Sequence, residues 1–310
     1  MVNSRSRRTF LQAAATIATA RSLSAQNTAQ NSQESIKLAI FNRDRKWLAL
    51  ESEATLERTF QIDTPLGKSP VVRQLRYQGT PFYYIPRYGD AGSGEITRLF
   101  DETFPGERLV QIWVTFMQLG VNYVIHGNII GGVHPDLSLN DLVIVDDFID
   151  LKPNHPQSIT PYFYKGKPPE MWPEAGVRMF PVMCPVARRA LYDKALQHHF
   201  AKVKLGGTLI QTRSARWETP AEIRMLRLLG ADVACTLDAS SIVYAKQAGI
   251  HFATGQYIMN FGEGSRPMEA ATTSEGGFER IATSMRKTLL DTLKALPSGP
   301  PKCDCFRPRA

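Results

Sequence analysis

Apolar and polar positions between Gly207 and Phe261 follow one repeating order: strand, helix, strand, helix, strand. Thr208 to Thr212 is a β-branched and apolar run, and Arg213 to Trp217 reads as an irregular turn. Thr219 fits a helix cap, with Pro220 at the first helical position and Glu222 three residues after the cap. Ile223, Met225, Leu226, Leu228 and Leu229 give that helix an apolar side, and Gly230 ends it. Ala231 to Leu237 reads as the next strand, Ala239 to Ala248 as a helix stopped by Gly249, and His251 to Tyr257 as a further strand. Strands alternating with helices of about 10 residues predict parallel crossovers and an α/β sheet.

The remaining chain extends this pattern. Ile36 to Phe41 reads as the first strand, followed by the glycine-free stretch Asn42-Arg43-Asp44-Arg45-Lys46. Val71 to Tyr77 and Phe82 to Ile85 read as a hairpin around Gln78-Gly79-Thr80-Pro81. An amphipathic helix is expected over Glu107 to Leu119, then a buried strand over Asn122 to His126 running into a turn from Gly127 to Gly132. Leu142 to Asp150 is a further strand, and the Pro- and aromatic-rich stretch Leu151 to Pro181 a long loop, suited to a lid or a subunit contact. Pro185 to Phe200 and Phe278 to Leu296 are predicted helices. The expected organisation is one α/β domain over residues 35–297 with a tail over 298–310.

Charge changes the picture mainly at the N-terminus. The formal net charge is +8, and the first 25 residues supply four arginines and no acid. Ser6-Arg7-Arg8-Thr9-Phe10-Leu11-Gln12, followed by a mild apolar run, resembles a twin-arginine export signal. Residues 1–25 are therefore expected to be a signal peptide, 26–34 a polar linker, and the protein periplasmic or otherwise exported. No later stretch is long and apolar enough to span a membrane. The remaining basic residues are scattered, which suits an anionic substrate or a charge-neutral role and does not indicate nucleic acid. The four cysteines fit no zinc spacing, so no metal is expected. Cys184 and Cys235 fall in apolar segments as core thiols; Cys303 and Cys305 are left as a small disulfide or as free thiols. Among the histidines, His126 and His134, which flank the glycine-rich turn, are better ligand candidates than His198 and His199 at a helix end.

Trp217-Glu218-Thr219-Pro220-Ala221-Glu222, the Gly230-Ala231-Asp232 strand and the helix that follows resemble the purine nucleoside phosphorylase and methylthioadenosine phosphorylase family, as does Asn260 near the end of the next strand. Thr64-Pro65-Leu66-Gly67-Lys68-Ser69-Pro70 and Gly127-Asn128-Ile129-Ile130-Gly131-Gly132 are similar to further family segments. The resemblance implies a nucleoside-phosphorylase-like domain, a mixed central sheet flanked by helices. It also implies a purine nucleoside as substrate with phosphate as co-substrate, no metal or organic cofactor, and a homotrimer or homohexamer.

Site residues carry over one by one. Arg87 is expected to bind phosphate, because a planar permanent cation suits that oxyanion, and Asn128 to border phosphate and sugar. Glu218 and Asn260 would bind the base: a carboxylate accepts from a ring N–H, and an amide offers donor and acceptor together. Their combination goes with 6-oxopurines in the resembled family. Trp217 would stack on the base and Thr236 would lie against the sugar. The chain departs from the pattern at several places, among them Thr236 for a methionine and Ile129 and Ile130 for alanines. The loop after the first strand lacks glycine, Gly89 replaces a histidine, and Ser241 replaces a glutamate that bonds a sugar hydroxyl. Asp238 is a new carboxylate at the sugar-side turn, able to hold a sugar hydroxyl or to activate water. Three functions stay open from sequence: phosphorolysis, with Asn260 and Asp238 as the catalytic candidates; hydrolysis of the same bond; and exported purine binding without turnover.

Overall fold

The computed structural model describes residues 36–42, 45–87, 104–152, 158–159, 177–212, 216–236, 238–265, 277–297 and 302–306. The twin-arginine segment and linker, Arg43-Asp44, Tyr88-Gly89, most of the 151–181 stretch, Arg213 to Ala215 and Leu237 lie outside the described residues.

The strands are β1 (Leu38–Asn42), β2 (Thr55–Phe60), β3 (Asp63–Thr64), β4 (Gly67–Lys68), β5 (Val72–Tyr77), β6 (Thr80–Pro86), β7 (Tyr123–Gly132), β8 (Leu142–Ile144), β9 (Asp147–Asp150), β10 (Val203–Leu205), β11 (Thr208–Gln211), β12 (Val233–Cys235) and β13 (His251–Phe261). The helices are α1 (Arg45–Leu48), α2 (Phe104–Gln118), α3 (Pro185–Ala195), α4 (Pro220–Leu228), α5 (Asp238–Ala248) and α6 (Gly277–Ala295).

Eleven strands form one mixed sheet in the order β10-β8-β13-β7-β1-β6-β5-β2, with β12 pairing β7, and β11 joining β12 to β9. The centre, β13-β7-β1-β6, is parallel. The β6-β5 and β5-β2 pairs are antiparallel, and so are β13-β8 and β12-β7.

Successive side chains on the parallel strands go to opposite faces. Phe41, Val124 and Phe252 join a core with Trp113 of α2 and Ile242 of α5. Ile40, Ile125 and Ala253 join the opposite core with Leu191 of α3 and Met285 and Leu289 of α6. Near-continuous apolar strands buried on both faces are what a helix-covered parallel sheet requires.

The α4 cap forms as expected. The Thr219 hydroxyl accepts from Glu222 N at 3.2 Å, and Glu222 accepts from Thr219 N at 2.7 Å. The expected turn at Gly127–Gly132 is instead the second half of β7. Gly131 and Gly132 pair with Asn260 and Phe261 on one side and with Ala234 and Val233 on the other. A Cβ at Gly132 would sit 3.0 Å from the Phe261 ring, so glycine serves close strand approach here rather than chain reversal. β13 likewise continues past Tyr257 to Phe261, and the Leu142–Asp150 strand divides into β8 and β9. The β5-β6 hairpin turns on two residues, Gln78 and Gly79, both at positive φ.

Candidate active site

Arg87 follows the end of β6, where its N–H bonds Asn42 O of β1 at 2.8 Å. Its guanidinium turns inward over the Phe41 ring, 5.1 Å from the centroid, and reaches Asp238, the first residue of α5. Asp238 is fully buried. One carboxylate oxygen accepts from Arg87; the other accepts from Asn128 Nδ2 of β7 and Gln256 Nε2 of β13, each at 2.9 Å. Asn128 and Gln256 are neighbours in the β7-β13 register, so parallel pairing aims both amides at one carboxylate. The helix start adds favourable potential for an anion. Burial opposes ionisation of Asp238 most strongly, but the Arg87 charge, His126 once it is protonated in acid, and the hydrogen bonds from Arg87 and Asn128 outweigh it. The carboxyl is held well below the usual carboxylate range.

His126 is also buried in the cluster. It stacks on Phe41 at 5.0 Å, with Nε2 3.3 Å from the Arg87 guanidinium and Nδ1 2.7 Å from Thr254 Oγ1. Arg87 can only donate, so Nε2 is the acceptor and Nδ1 carries the proton. Burial, opposed in part by Asp238, lowers His126 to about 4, so the ring is neutral near pH 7. It orients Arg87 and carries no charge. Gln256 closes the network by donating to Thr254 Oγ1 at 2.7 Å.

Glu218 stands apart from this cluster, just ahead of α4. The Thr212 hydroxyl, at the end of β11, donates to its carboxylate and lies 3.2 Å from Cys235 O. A cavity of 170 Å³ opens there, lined by Leu151, Thr212, Arg216, Glu218, Glu222, Met225 and Leu226. That volume is below the roughly 300–1,000 Å³ of complete small-molecule sites, and suits a ring rather than a ring with its sugar. Arg216 is held in a bidentate pair with Glu222, at 2.7 Å for each bond.

The residues expected from sequence are therefore divided. Arg87, Asn128 and Asp238 meet in one ion cluster, and Glu218 lines the cavity. Asn260 lies on β13 at a register shift, its Oδ1 3.4 Å from where a Gly131 Cβ would stand. Thr236 is half-buried at the bend between β12 and α5. Trp217 is 60% exposed and is not among the residues lining the cavity. His134 is a surface residue near Asp136. Gln256, Thr254 and Thr212 were missed from sequence. Their only local signal is polar residues at alternate positions inside, or at the end of, otherwise apolar strands.

Residues 109–294 match the family model described as the phosphorylase superfamily. The chain belongs to that superfamily. Among curated relatives, it is 28% identical to a probable 6-oxopurine nucleoside phosphorylase of Moorella thermoacetica, over 79% of this chain and 87% of that one. It is 27% identical to a probable S-methyl-5'-thioinosine phosphorylase of Methanothermobacter thermautotrophicus, over 77% of this chain and 76% of that one. The fold is shared with a methylthioadenosine phosphorylase from an antarctic soil metagenomic library, at a TM-score of 0.72 and 19% identity, over 88% of this chain and 90% of that one. The matched span runs from α2 to α6 and includes Asn128, Glu218, Asp238 and Asn260, whereas Arg87 lies upstream of it.

Proposed function

We propose that the protein is a purine nucleoside phosphorylase, a pentosyltransferase that cleaves a 6-oxopurine or methylthio-substituted nucleoside with phosphate. The observation that carries this reading is Glu218, held by the Thr212 hydroxyl in the lining of a ring-sized cavity in a phosphorylase-superfamily fold. In the reaction the bond between base and sugar breaks, with its electron pair going to the base, and a phosphate oxygen bonds the sugar carbon. The products are free base and pentose 1-phosphate. Glu218 accepts from a ring N–H of the base, and Asn260 bonds the ring as negative charge arrives, which lowers the barrier by favouring the leaving group. Arg87 and Asn128 hold the phosphate, which serves as co-substrate; no organic cofactor is part of the reading.

One observation favours a second reading. Asp238 already fills the anion position on Arg87 and Asn128. Phosphate must displace that carboxylate or bind beside it against charge repulsion, so water as the nucleophile is the alternative.

Incubation of the protein with inosine, guanosine and methylthioadenosine, each with and without phosphate, separates the two. Phosphate-dependent release of base with formation of pentose 1-phosphate is expected. Phosphate-independent release would establish hydrolysis. Purine binding without release would mean a binding protein and end both readings.

Export by the twin-arginine route and assembly as a trimer or hexamer complete the proposal. The exposed apolar face of α4, with Met225 and the 90%-exposed Leu228, supports assembly. Cell fractionation and light scattering test these two points.

A further inference from the structure

Four side chains from three distant segments of the chain converge at the start of β13, at the opposite end of the strand from Asn260. Cys184 caps α3, His251 opens β13, and Cys303 and Cys305 lie on the C-terminal tail. Their ligand atoms all lie within 4.8 Å of one another. Cys303 Sγ is 3.9 Å from Cys184 Sγ, 3.2 Å from Cys305 Sγ and 3.3 Å from His251 Nδ1. All three thiols are free. Four ligands placed tetrahedrally about zinc at the usual bond lengths stand about 3.5–3.8 Å apart. We propose that Cys184, His251, Cys303 and Cys305 form a Cys₃His structural zinc site that fastens the C-terminal tail to the domain.

The surroundings fit a closed metal site. Cys184, His251 and Cys305 are buried, and Cys303 is half-buried. Ala187 N of the first turn of α3 donates to Cys184 Sγ at 3.5 Å, a bond that favours a thiolate. The His251 ring is fixed between Tyr123, at 5.1 Å, and Phe306, at 4.8 Å. Three thiolates with zinc leave one net negative charge. Lys246 faces it: its ammonium bonds Cys305 O at 3.1 Å and lies 5.6 Å from the Phe306 ring centroid. Such outer partners orient ligands and compensate charge. With four protein ligands there is no open position for substrate or water, so the site is structural. His251 pairs with Tyr123 and Thr254 with His126, which sets the metal cluster about 10 Å along the strand from the Asp238 network.

The test uses the full chain, grown with zinc and purified without chelator. Elemental analysis is expected to give about one zinc per chain, released in step with titration of the thiols by an organomercurial. Metal-free protein reloaded with cobalt(II) should show the intense visible bands of a tetrahedral centre and near-ultraviolet sulfur-to-cobalt charge transfer. Cys305→Ser and His251→Ala should each lower zinc content about tenfold or more, whereas Cys235→Ser, which removes a buried thiol outside the cluster, should not. Zinc well below stoichiometric together with no cobalt spectrum in folded wild-type protein would overturn the proposal. So would a disulfide from Cys303 to Cys184 or Cys305 in folded metal-free protein that cannot be reloaded. The wild-type measurements stand even if a variant fails to fold, and none of them depends on nucleoside cleavage.

Discussion

Asp238 and Arg87 lie 151 positions apart in the chain and meet as a buried ion pair, with the Asp238 side chain fully excluded from water and that of Arg87 4% exposed. Two amides, from Asn128 and Gln256, complete the carboxylate's hydrogen bonds. A buried pair of this kind adds modest net stability when intact but is costly to break, because the surviving charge is left without a partner.

Asp238→Asn keeps the shape and removes the charge. It is expected to cost about 3–5 kcal/mol in urea unfolding. Added phosphate should recover part of that loss, because the guanidinium then takes an external anion. Wild type should gain less from the same phosphate. Equal gains in the two proteins would show that Asp238 does not compete for the anion position.

His126 makes stability depend on pH. Its folded value of about 4 lies below the ordinary histidine value of 6.5, so between these values the unfolded chain takes up a proton that the folded one refuses. Stability therefore falls as pH drops from 6.5 towards 4, by on the order of 2–3 kcal/mol in total from this group. Asp238 acts separately, below its unfolded value of 3.8, since its folded value is lowered. The difference in unfolding free energy between wild type and His126→Gln, followed over that pH range, should carry the slope. A flat difference would mean that His126 is not the titrating group.

Glu218→Gln replaces an acceptor-only carboxylate with an amide that presents donors towards a ring N–H. Loss of a charge-assisted bond of roughly 1.5–3 kcal/mol should lower kcat/KM for inosine by about 10- to 150-fold. Thr212→Val, which frees Glu218 to rotate, should give a smaller loss of the same kind. Steady-state kinetics with each variant tests both, and an unchanged kcat/KM for Glu218→Gln would remove this residue from base recognition.

Thr219→Ala deletes one half of the α4 capping box. It is expected to destabilise the protein by about 1 kcal/mol, read by the same urea unfolding. A loss below a few tenths would indicate that packing of Ile223 and Leu226 holds the helix without its cap.

Local signals were legible because their physics is local. The Thr219 cap, the stops at Gly230 and Gly249 and the apolar periods of α2 and α6 each depend on neighbours within a few residues, and the structure keeps them with shifts of a few positions at most. The central α/β sheet followed from their order. Glu218, Asn128 and Asn260 could be nominated because they sit inside recognisable segments. What Asp238 does could not be read, since its partners come from β6, β7 and β13 and only the parallel register aims them together. Gly127 to Gly132 read as a turn because glycine permits reversal, yet two flanking strands recruit it into β7. The cysteines show the same division most plainly. Zinc-type spacing is a local pattern that this chain lacks, whereas Cys184, His251, Cys303 and Cys305 converge through a helix cap, a strand start and a docked tail. Sequence alone determined which elements form and in what order; tertiary structure decided which charged and sulfur-bearing groups became neighbours. Long-range pairing and burial set those distances, and no short stretch of chain encodes them.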